Sequence, residues 1–179
     1  MNAENTAPPS FATLMRHAAI AGSLAAAGAF IWLLIEYALG FHGERLAQLQ
    51  YMQMVGLAFP IAAIALGIMR WRDRVLDGRI RFSQAFGVGL AIGLFFAIDY
   101  AIFNWIYAAV INPGFIERII EFQAQAMLEA GSTQEEVETA IEAARAHATA
   151  GSYGMAVAVQ MLVASLIIAL FAAVIVRRR

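Results

Sequence analysis

Four long apolar runs constrain the fold of this chain more than any other feature. They cover roughly residues 18–40, 51–69, 85–111 and 153–176. At 1.5 Å per residue, about 20 apolar residues in a helix span the roughly 30 Å hydrocarbon core of a bilayer. Such a helix also satisfies every backbone polar group internally, which lipid requires. The sequence therefore predicts an all-α integral membrane protein with four transmembrane helices.

Composition supports the same class. Hydrophobic residues make up 61% of the chain and charged residues 14%, whereas soluble domains have about 45–50% and about 25%. The net charge of −1 gives no indication of nucleic-acid binding, and there is no cysteine for disulfides or thiolate metal sites. The three histidines are far apart in sequence, so we expect no histidine metal centre and no cofactor.

The N-terminal residues 1–12 are polar and contain two adjacent prolines. We predict that they form a flexible leader and that residues 13–179 form a single membrane domain. Arg16 and His17, directly before the first apolar run, also resemble the start of a signal peptide. The apolar core of a signal peptide has about 7–15 residues, which is shorter than this run. We therefore expect the first run to be retained as a helix.

Arginine residues are unevenly divided between the two sides that four spans would define. Nine lie in the N-terminal flank, the loop between the second and third runs, and the tail, whereas three lie in the other loops. Because short cytoplasmic loops carry the excess of basic residues, we predict that both termini are cytoplasmic, in a bacterial cytoplasmic (inner) membrane. Aromatic residues typical of a membrane interface fall near the opposite ends of the runs: Tyr37, Tyr51, Trp105, Tyr107 and Tyr153.

The segment 112–152, between the third and fourth runs, is predicted to be an extracytoplasmic amphipathic helical hairpin. Asn112 followed by Pro113 is typical of a helix N-terminus, and Ser132 with Glu135 has the spacing of a capping box. The segment contains seven Glu and two Arg. This acidic surface would attract cations or a basic partner, or it would simply be a solvated face that keeps the hairpin out of lipid.

Three stretches of the sequence resemble a known family. They are RWRDRVLDGRIRFSQAFGVGL (Arg70–Leu90), INPGFIERIIE (Ile111–Glu121) and MLEAGSTQEEVETAIE (Met127–Glu142). On these stretches the chain resembles a bacterial four-helix membrane family catalogued as domain of unknown function 4199. The resemblance covers nearly the whole chain and implies the four-helix topology. It implies no activity, ligand or site residue.

The loop between the second and third runs is rich in arginine, with Trp71 and Phe82 interleaved. Basic clusters beside a membrane attract anionic lipid headgroups, at about 1 kcal/mol per residue near the surface. Alternatively, these arginines serve only to set the topology. The candidate contacts to lipid headgroups are Arg70, Arg72, Arg74, Arg79 and Arg81.

Small residues predict where the helices pack closely. Gly89 and Gly93 form a GxxxG pattern in the third run, a spacing that lets helix backbones approach each other in lipid. The fourth run repeats this spacing at Ser165, Ala169 and Ala173. In the second run, Pro60 is expected to kink the helix because it lacks a backbone N–H.

Few polar residues lie within the apolar runs. The candidate intramembrane polar site consists of Glu36, Gln53, Asp99, Asn104 and Gln160. By helical rise, four of them fall in one layer roughly 7–10 Å outward of the span centres, with Asp99 near the midplane. An ionised carboxylate at the midplane costs at least about 2.5–3.5 kcal/mol. Asp99 is therefore interpreted either as a neutral acid that hydrogen-bonds a neighbouring helix or as a proton or cation site.

Two functional classes remain open. The first is a non-enzymatic accessory, assembly or regulatory component, whose partners would be the lipid bilayer and either a second copy or another membrane protein, without nucleic acid. The alternative is a small oligomeric proton- or ion-coupled transporter or channel that uses Asp99 and Glu36. An intramembrane enzyme is not expected, because these two acids lie at different depths and form a poor catalytic pair.

Overall fold

The computed structural model describes residues 9–177, and this part of the chain folds into seven α-helices. A short 3₁₀ helix, Leu46–Gln48, precedes α2, and a π-helical turn, Tyr107–Ile111, continues α4. This architecture confirms the predicted all-α class. The helices are α1 Phe11–Ala38, α2 Leu49–Gly56, α3 Ala58–Val75, α4 Phe82–Ile106, α5 Phe115–Glu129, α6 Gln134–His147 and α7 Ala150–Val176.

Four helical stretches are long and apolar enough to cross a membrane. They are Phe11–Ala38, Leu46–Val75, Phe82–Ile111 and Ala150–Val176. Only 22–39% of the apolar window in each stretch is buried within the chain, so most of this surface faces outward. Leaving it in water would cost about 25 cal/mol per Å², whereas lipid tails cover it. The prediction of four helical stretches that are long and apolar enough to span a membrane is therefore confirmed.

The first span begins earlier than its hydropathy predicted. Helix α1 starts at Phe11 and not near residue 18, because the Ser10 hydroxyl accepts a hydrogen bond from the Thr13 N–H at 3.2 Å and caps the helix. The last two residues of the predicted leader 1–12 are therefore helical. Its first eight residues lie outside the described part of the chain.

The second span is interrupted at one residue close to Pro60. Helix α2 ends at Gly56 and α3 begins at Ala58, so the interruption falls at Leu57, before Pro60. The proline is buried in the first turn of α3, where its missing N–H disrupts no helical hydrogen bond. The helix thus restarts just ahead of the proline.

The chain divides into two compact units, and the described residues of the first are 9–26, 59–97 and 161–177. The two predicted stripes of small residues meet in its core. A Cβ atom placed on Gly93 would lie 2.4 Å from Ser165 Cβ, and one placed on Gly89 would lie 2.9 Å from Ala169 Cβ. Because these distances are below normal contact, only glycine permits α4 and α7 to approach this closely.

The arginine-rich loop belongs to the first unit. Arg72 pairs with Asp73, with Nε and Oδ1 2.6 Å apart, and its Nη1 donates to the Val176 carbonyl at 3.3 Å. The other four arginines, Arg70, Arg74, Arg79 and Arg81, are exposed. Trp71 is only 4% exposed and its ring lies 5.2 Å from that of His17. This tryptophan is therefore part of the core and is not free to contact lipid beside the arginines.

The second unit comprises residues 27–58 and 98–160. Its buried core contains Leu33, Phe41, Leu49, Tyr107 and Phe115. Helices α5 and α6 form the predicted hairpin within this unit. Arg145 of α6 joins them, since its Nε donates to Glu117 Oε1 of α5 at 2.9 Å.

Both predicted caps of the hairpin are wrong, one by two residues and the other by one. Helix α5 begins at Phe115 with Gly114 as its N-cap, because the side chain of Asn112 is engaged elsewhere. The capping box of α6 uses Thr133 and Glu136, one residue beyond the predicted pair. Hydrogen bonds from the Thr133 backbone and hydroxyl to this carboxylate lower the pKa of Glu136.

Candidate functional site

A π-helical turn in the second unit positions two buried polar side chains. The Asn112 N–H donates to the Tyr107 carbonyl at 2.8 Å, five residues back instead of four. Such π turns are rare and are found frequently at functional sites. Tyr107 is fully buried and Asn112 is 5% exposed, so both side chains need hydrogen-bond partners inside the protein.

Arg118 of α5 sets the direction of the hydrogen bonds in this region. Its Nε donates to the His42 carbonyl at 3.1 Å, and its Nη2 donates to Asn112 Oδ1. Because a guanidinium has no acceptor, the amide oxygen of Asn112 must face it. The amide nitrogen of Asn112 is then turned toward Tyr107, and Nδ2 donates to the tyrosine oxygen at 2.6 Å.

The polar contacts continue from Tyr107 through His42 to Glu36. The Tyr107 hydroxyl also forms a hydrogen bond with His42 Nδ1. The other ring nitrogen, Nε2, faces Glu36 Oε2 at 3.4 Å. We call these five side chains, Arg118, Asn112, Tyr107, His42 and Glu36, the buried polar network.

The network ends at an oxygen atom without a donor. Glu36 and His42 are 5% and 3% exposed, and Glu36 Oε1 has no hydrogen-bond partner within the part of the chain that the structure describes. Charge-assisted bonds are about 2.7–2.9 Å long, so the 3.4 Å between His42 and Glu36 is long for an ion pair. Glu36 Oε1 is therefore the chemically open end of the network.

Aromatic rings enclose His42. The imidazole stacks on Phe115 with ring centres 4.7 Å apart, and Tyr107 meets it edge-on at 5.2 Å. Tyr37 lies at 6.3 Å. Phe115 and Arg118 are three residues apart and therefore share one face of α5. This face contacts both the ring and the carbonyl of His42. Helix α5 is therefore attached to the loop after α1 by ring stacking and by the hydrogen bond from the Arg118 guanidinium.

The predicted polar residues have different positions in the structure. Of the five, Glu36 alone joins the buried polar network among the described residues. Asn104 is buried, where its Nδ2 donates to the Tyr100 carbonyl at 2.8 Å and its Oδ1 accepts from the Tyr153 hydroxyl at 3.3 Å. Asp99 is half-buried, whereas Gln53 and Gln160 are exposed.

Gln53 lines an open cavity of about 450 Å³ in the second unit. Apolar side chains of α2 and α5 form most of its wall, including Leu49, Ile119 and Phe122. Neither Glu36 nor His42 lines this cavity. The predicted outer polar layer is therefore divided between a buried network, a tyrosine contact and an exposed surface.

Sequence reasoning missed four of the five network residues. It assigned Tyr107 to the membrane interface, Asn112 to a helix cap and Arg118 to the topology count, and it considered His42 only as a metal ligand. No short motif joins positions 36, 42, 107, 112 and 118. The one local signal is the i, i+3 spacing of Phe115 and Arg118, which places an aromatic and a cation on one helix face.

No cluster of three or more His, Asp or Glu residues suited to a metal ion occurs in residues 9–177.

Comparison with known proteins identifies the family of this chain. The family model described as "Protein of unknown function (DUF4199)" matches residues 21–178. The chain belongs to this family. The resemblance expected from the sequence is thereby confirmed, and the DUF4199 match includes all five residues of the buried polar network. No curated protein and no solved structure matches the chain.

Proposed function

We propose that this DUF4199 protein is a non-enzymatic accessory, assembly or regulatory component that binds a partner protein through its α5–α6 hairpin. The observation that carries the proposal is the attachment of α5. Arg118 donates to the His42 carbonyl and to Asn112, and Phe115 and Ile120 are buried. A hairpin held in this way presents a fixed surface, which lowers the entropy cost of binding.

The outward surface of the hairpin is acidic. Val137 is buried in α6. The other side chains of this helix are exposed or half-buried. This charge favours a partner segment rich in Lys or Arg, because complementary charge speeds and orients association. The exposed glutamates of the hairpin are Glu121, Glu129, Glu135, Glu136, Glu138 and Glu142.

The orientation follows from the distribution of arginine. We propose that the protein lies in a bacterial cytoplasmic (inner) membrane with both termini in the cytoplasm and the hairpin outside, since basic residues favour the cytoplasmic side. The exposed side chains of Arg70, Arg74, Arg79 and Arg81 support this orientation, because they are available to anionic lipid headgroups. Lipid, rather than nucleic acid, is the proposed contact of this loop.

Site-specific crosslinking tests the hairpin surface. A photoreactive residue at Glu138 or Glu142, four residues apart on exposed α6, is expected to give the same adduct from native membranes. The matched control is Glu44, an exposed acid in the loop after α1. Mass spectrometry of the adduct identifies either a protein with a basic segment or a second copy of this chain. No adduct, or an identical set from Glu44, contradicts the proposal.

A proton- or ion-coupled transporter is the second candidate, and the open Glu36 Oε1 atom is the observation that favours it. Acids within membrane spans commonly mark ion pathways. If the protein has the accessory role, we expect the proton flux into vesicles that contain the purified protein to be no greater than the flux into empty vesicles. Flux that is lost in Glu36→Gln or Asp99→Asn, but retained in the control Glu44→Gln, would instead establish the transporter.

A further inference from the structure

We propose that the cavity between α2 and α5 binds one phospholipid of the surrounding membrane, through the upper part of an acyl chain and its ester group. The cavity has a volume of about 450 Å³, and ligand pockets usually have about 300–1,000 Å³. The lipid headgroup remains outside the cavity, in the water layer. The proposal goes beyond the function above and does not depend on it, because the ligand is a lipid and not a partner protein.

The walls of the cavity suit a hydrocarbon chain. Helix α5 contributes Ile116, Ile119 and Phe122 to the lining, and the opposite wall contains Leu46 and Leu49. The Phe122 side chain is 41% exposed, so the protein itself covers its ring only in part. Covering such apolar surface with a hydrocarbon chain is favourable, because it removes the surface from water.

Three glutamines supply polar groups to the lining: Gln50, Gln53 and Gln123. All three side chains are exposed, so their amides are available to a ligand. A glutamine amide nitrogen donates hydrogen bonds and carries no charge, and none of the described residues that line the cavity has a charged side chain. The lining therefore matches an uncharged acceptor attached to an apolar chain, which is the chemistry of a phospholipid acyl ester. A free carboxylate or phosphate would instead favour a site that contains arginine or lysine.

The cavity lies at the end of two membrane-spanning stretches. Its α2 wall belongs to the start of Leu46–Val75, and Tyr153, which also lines it, is near the start of Ala150–Val176. The 30 residues of the first of these stretches extend over about 45 Å at 1.5 Å per residue, whereas the hydrocarbon core is about 30 Å thick. The first residues of the stretch therefore lie in the interfacial layer between hydrocarbon and water. Phospholipid esters occupy this same layer.

The cavity is continuous with a surface of α2 that faces lipid. Gln50 and Gln53 line the cavity, and each directly precedes an exposed apolar residue. These residues are Tyr51 and Met54, which are 60% and 70% exposed. A phospholipid beside α2 can therefore place its chain in the cavity without leaving its leaflet. This continuity favours a membrane lipid over a ligand that arrives from the aqueous phase.

Photolabelling of the full chain in phosphatidylcholine nanodiscs tests the site. The probe is phosphatidylcholine with a diazirine in the upper part of one acyl chain, and peptide mass spectrometry locates the adducts. Ile119→Trp fills the cavity and is expected to abolish most of the labelling at Phe122 and Gln53. The matched control Leu128→Trp changes an exposed position of α5 outside the lining and is expected to retain it. Labelling of the exposed apolar surface of α7 is the internal reference and is expected to be the same in all variants.

Native mass spectrometry of the purified protein counts and identifies the retained lipid. The wild type is expected to retain one phospholipid. Gln53→Leu removes an exposed amide and is expected to lower the ratio of lipid-bound to lipid-free protein about fivefold, the effect of one neutral hydrogen bond. Gln160→Leu makes the same change at an exposed position of α7 and is expected to leave the ratio unchanged. Because both glutamines are exposed, this comparison does not depend on whether the cavity tolerates a tryptophan.

Three results would overturn the proposal. The first is equal labelling of Phe122 in Ile119→Trp and Leu128→Trp, and the second is equal lipid retention in Gln53→Leu and Gln160→Leu. The third is a retained free fatty acid, prenyl lipid or peptide in place of a phospholipid. None of these measurements requires a partner for the hairpin, so they are independent of the crosslinking outcome.

Discussion

Tyr107→Phe is expected to lower the free energy of unfolding by about 2–4 kcal/mol. The substitution keeps the buried ring and removes only its oxygen atom. That oxygen accepts from Asn112 Nδ2 and also forms a hydrogen bond with His42 Nδ1, so two buried groups lose a partner. Each unsatisfied group costs about 1–3 kcal/mol, and single substitutions seldom cost more than about 4 kcal/mol in total. Denaturant or thermal unfolding of the protein in a mild detergent, followed by helical circular dichroism, measures the loss.

Tyr37→Phe is the matched control for this prediction. Its ring packs against the same cluster, 5.8 Å from that of Tyr107, but Tyr37 is 41% exposed. The expected change is within about 0.5 kcal/mol, as for most surface substitutions. Equal losses in the two variants would show that the buried polar network contributes nothing specific to stability.

Gly93→Ala is expected to lower stability by about 1–3 kcal/mol, the usual cost of overpacking a close contact. The added Cβ atom would lie 2.4 Å from Ser165 Cβ and 2.9 Å from its Oγ. Neither is the far end of a flexible side chain, so α4 and α7 must move apart. The same unfolding measurement reports the loss.

Two further variants isolate this contact. Gly87→Ala lies on the same helix, where a new Cβ meets nothing within 4 Å, and it is expected to stabilise by about 0.5–1 kcal/mol through helix propensity. Ser165→Gly removes the opposing Cβ, so adding it to Gly93→Ala is expected to recover part of the loss. Destabilisation by Gly87→Ala, or no recovery in the double variant, would contradict a specific contact at Gly93.

Small-residue spacing predicted some close contacts and missed the tightest backbone approach. Gly89 and Gly93 were recognised from their GxxxG pattern, and they do pack against Ser165 and Ala169. Gly22 was not recognised, although it has the same spacing from Ala18 and Ala26, and a Cβ there would lie 2.6 Å from the Ile92 carbonyl oxygen. Spacing along one helix shows that close approach is possible, but the partner helix decides which glycine is used.

The hairpin shows a similar limit. Its two helices and the turn between them were predictable, because apolar periodicity and glycine are local signals. The capping residues were not. Ser132 and Thr133 are adjacent and both can cap, and the helix uses the pair Thr133 and Glu136. Asn112 was a plausible cap by composition, but its side chain bonds Tyr107 and Arg118 instead.

The sequence by itself determined the membrane class, the four spanning stretches, the acidic helical hairpin and the family. Each depends on hydropathy, charge or motifs that are contiguous along the chain. Only the tertiary structure decided that Glu36 and His42 meet Tyr107, Asn112 and Arg118. These residues come from α1, the following loop, the π turn, the segment after it and α5, and no local pattern encodes their contact. The physical reason is that burial and the shortage of water inside the protein force distant polar groups to become one another's partners.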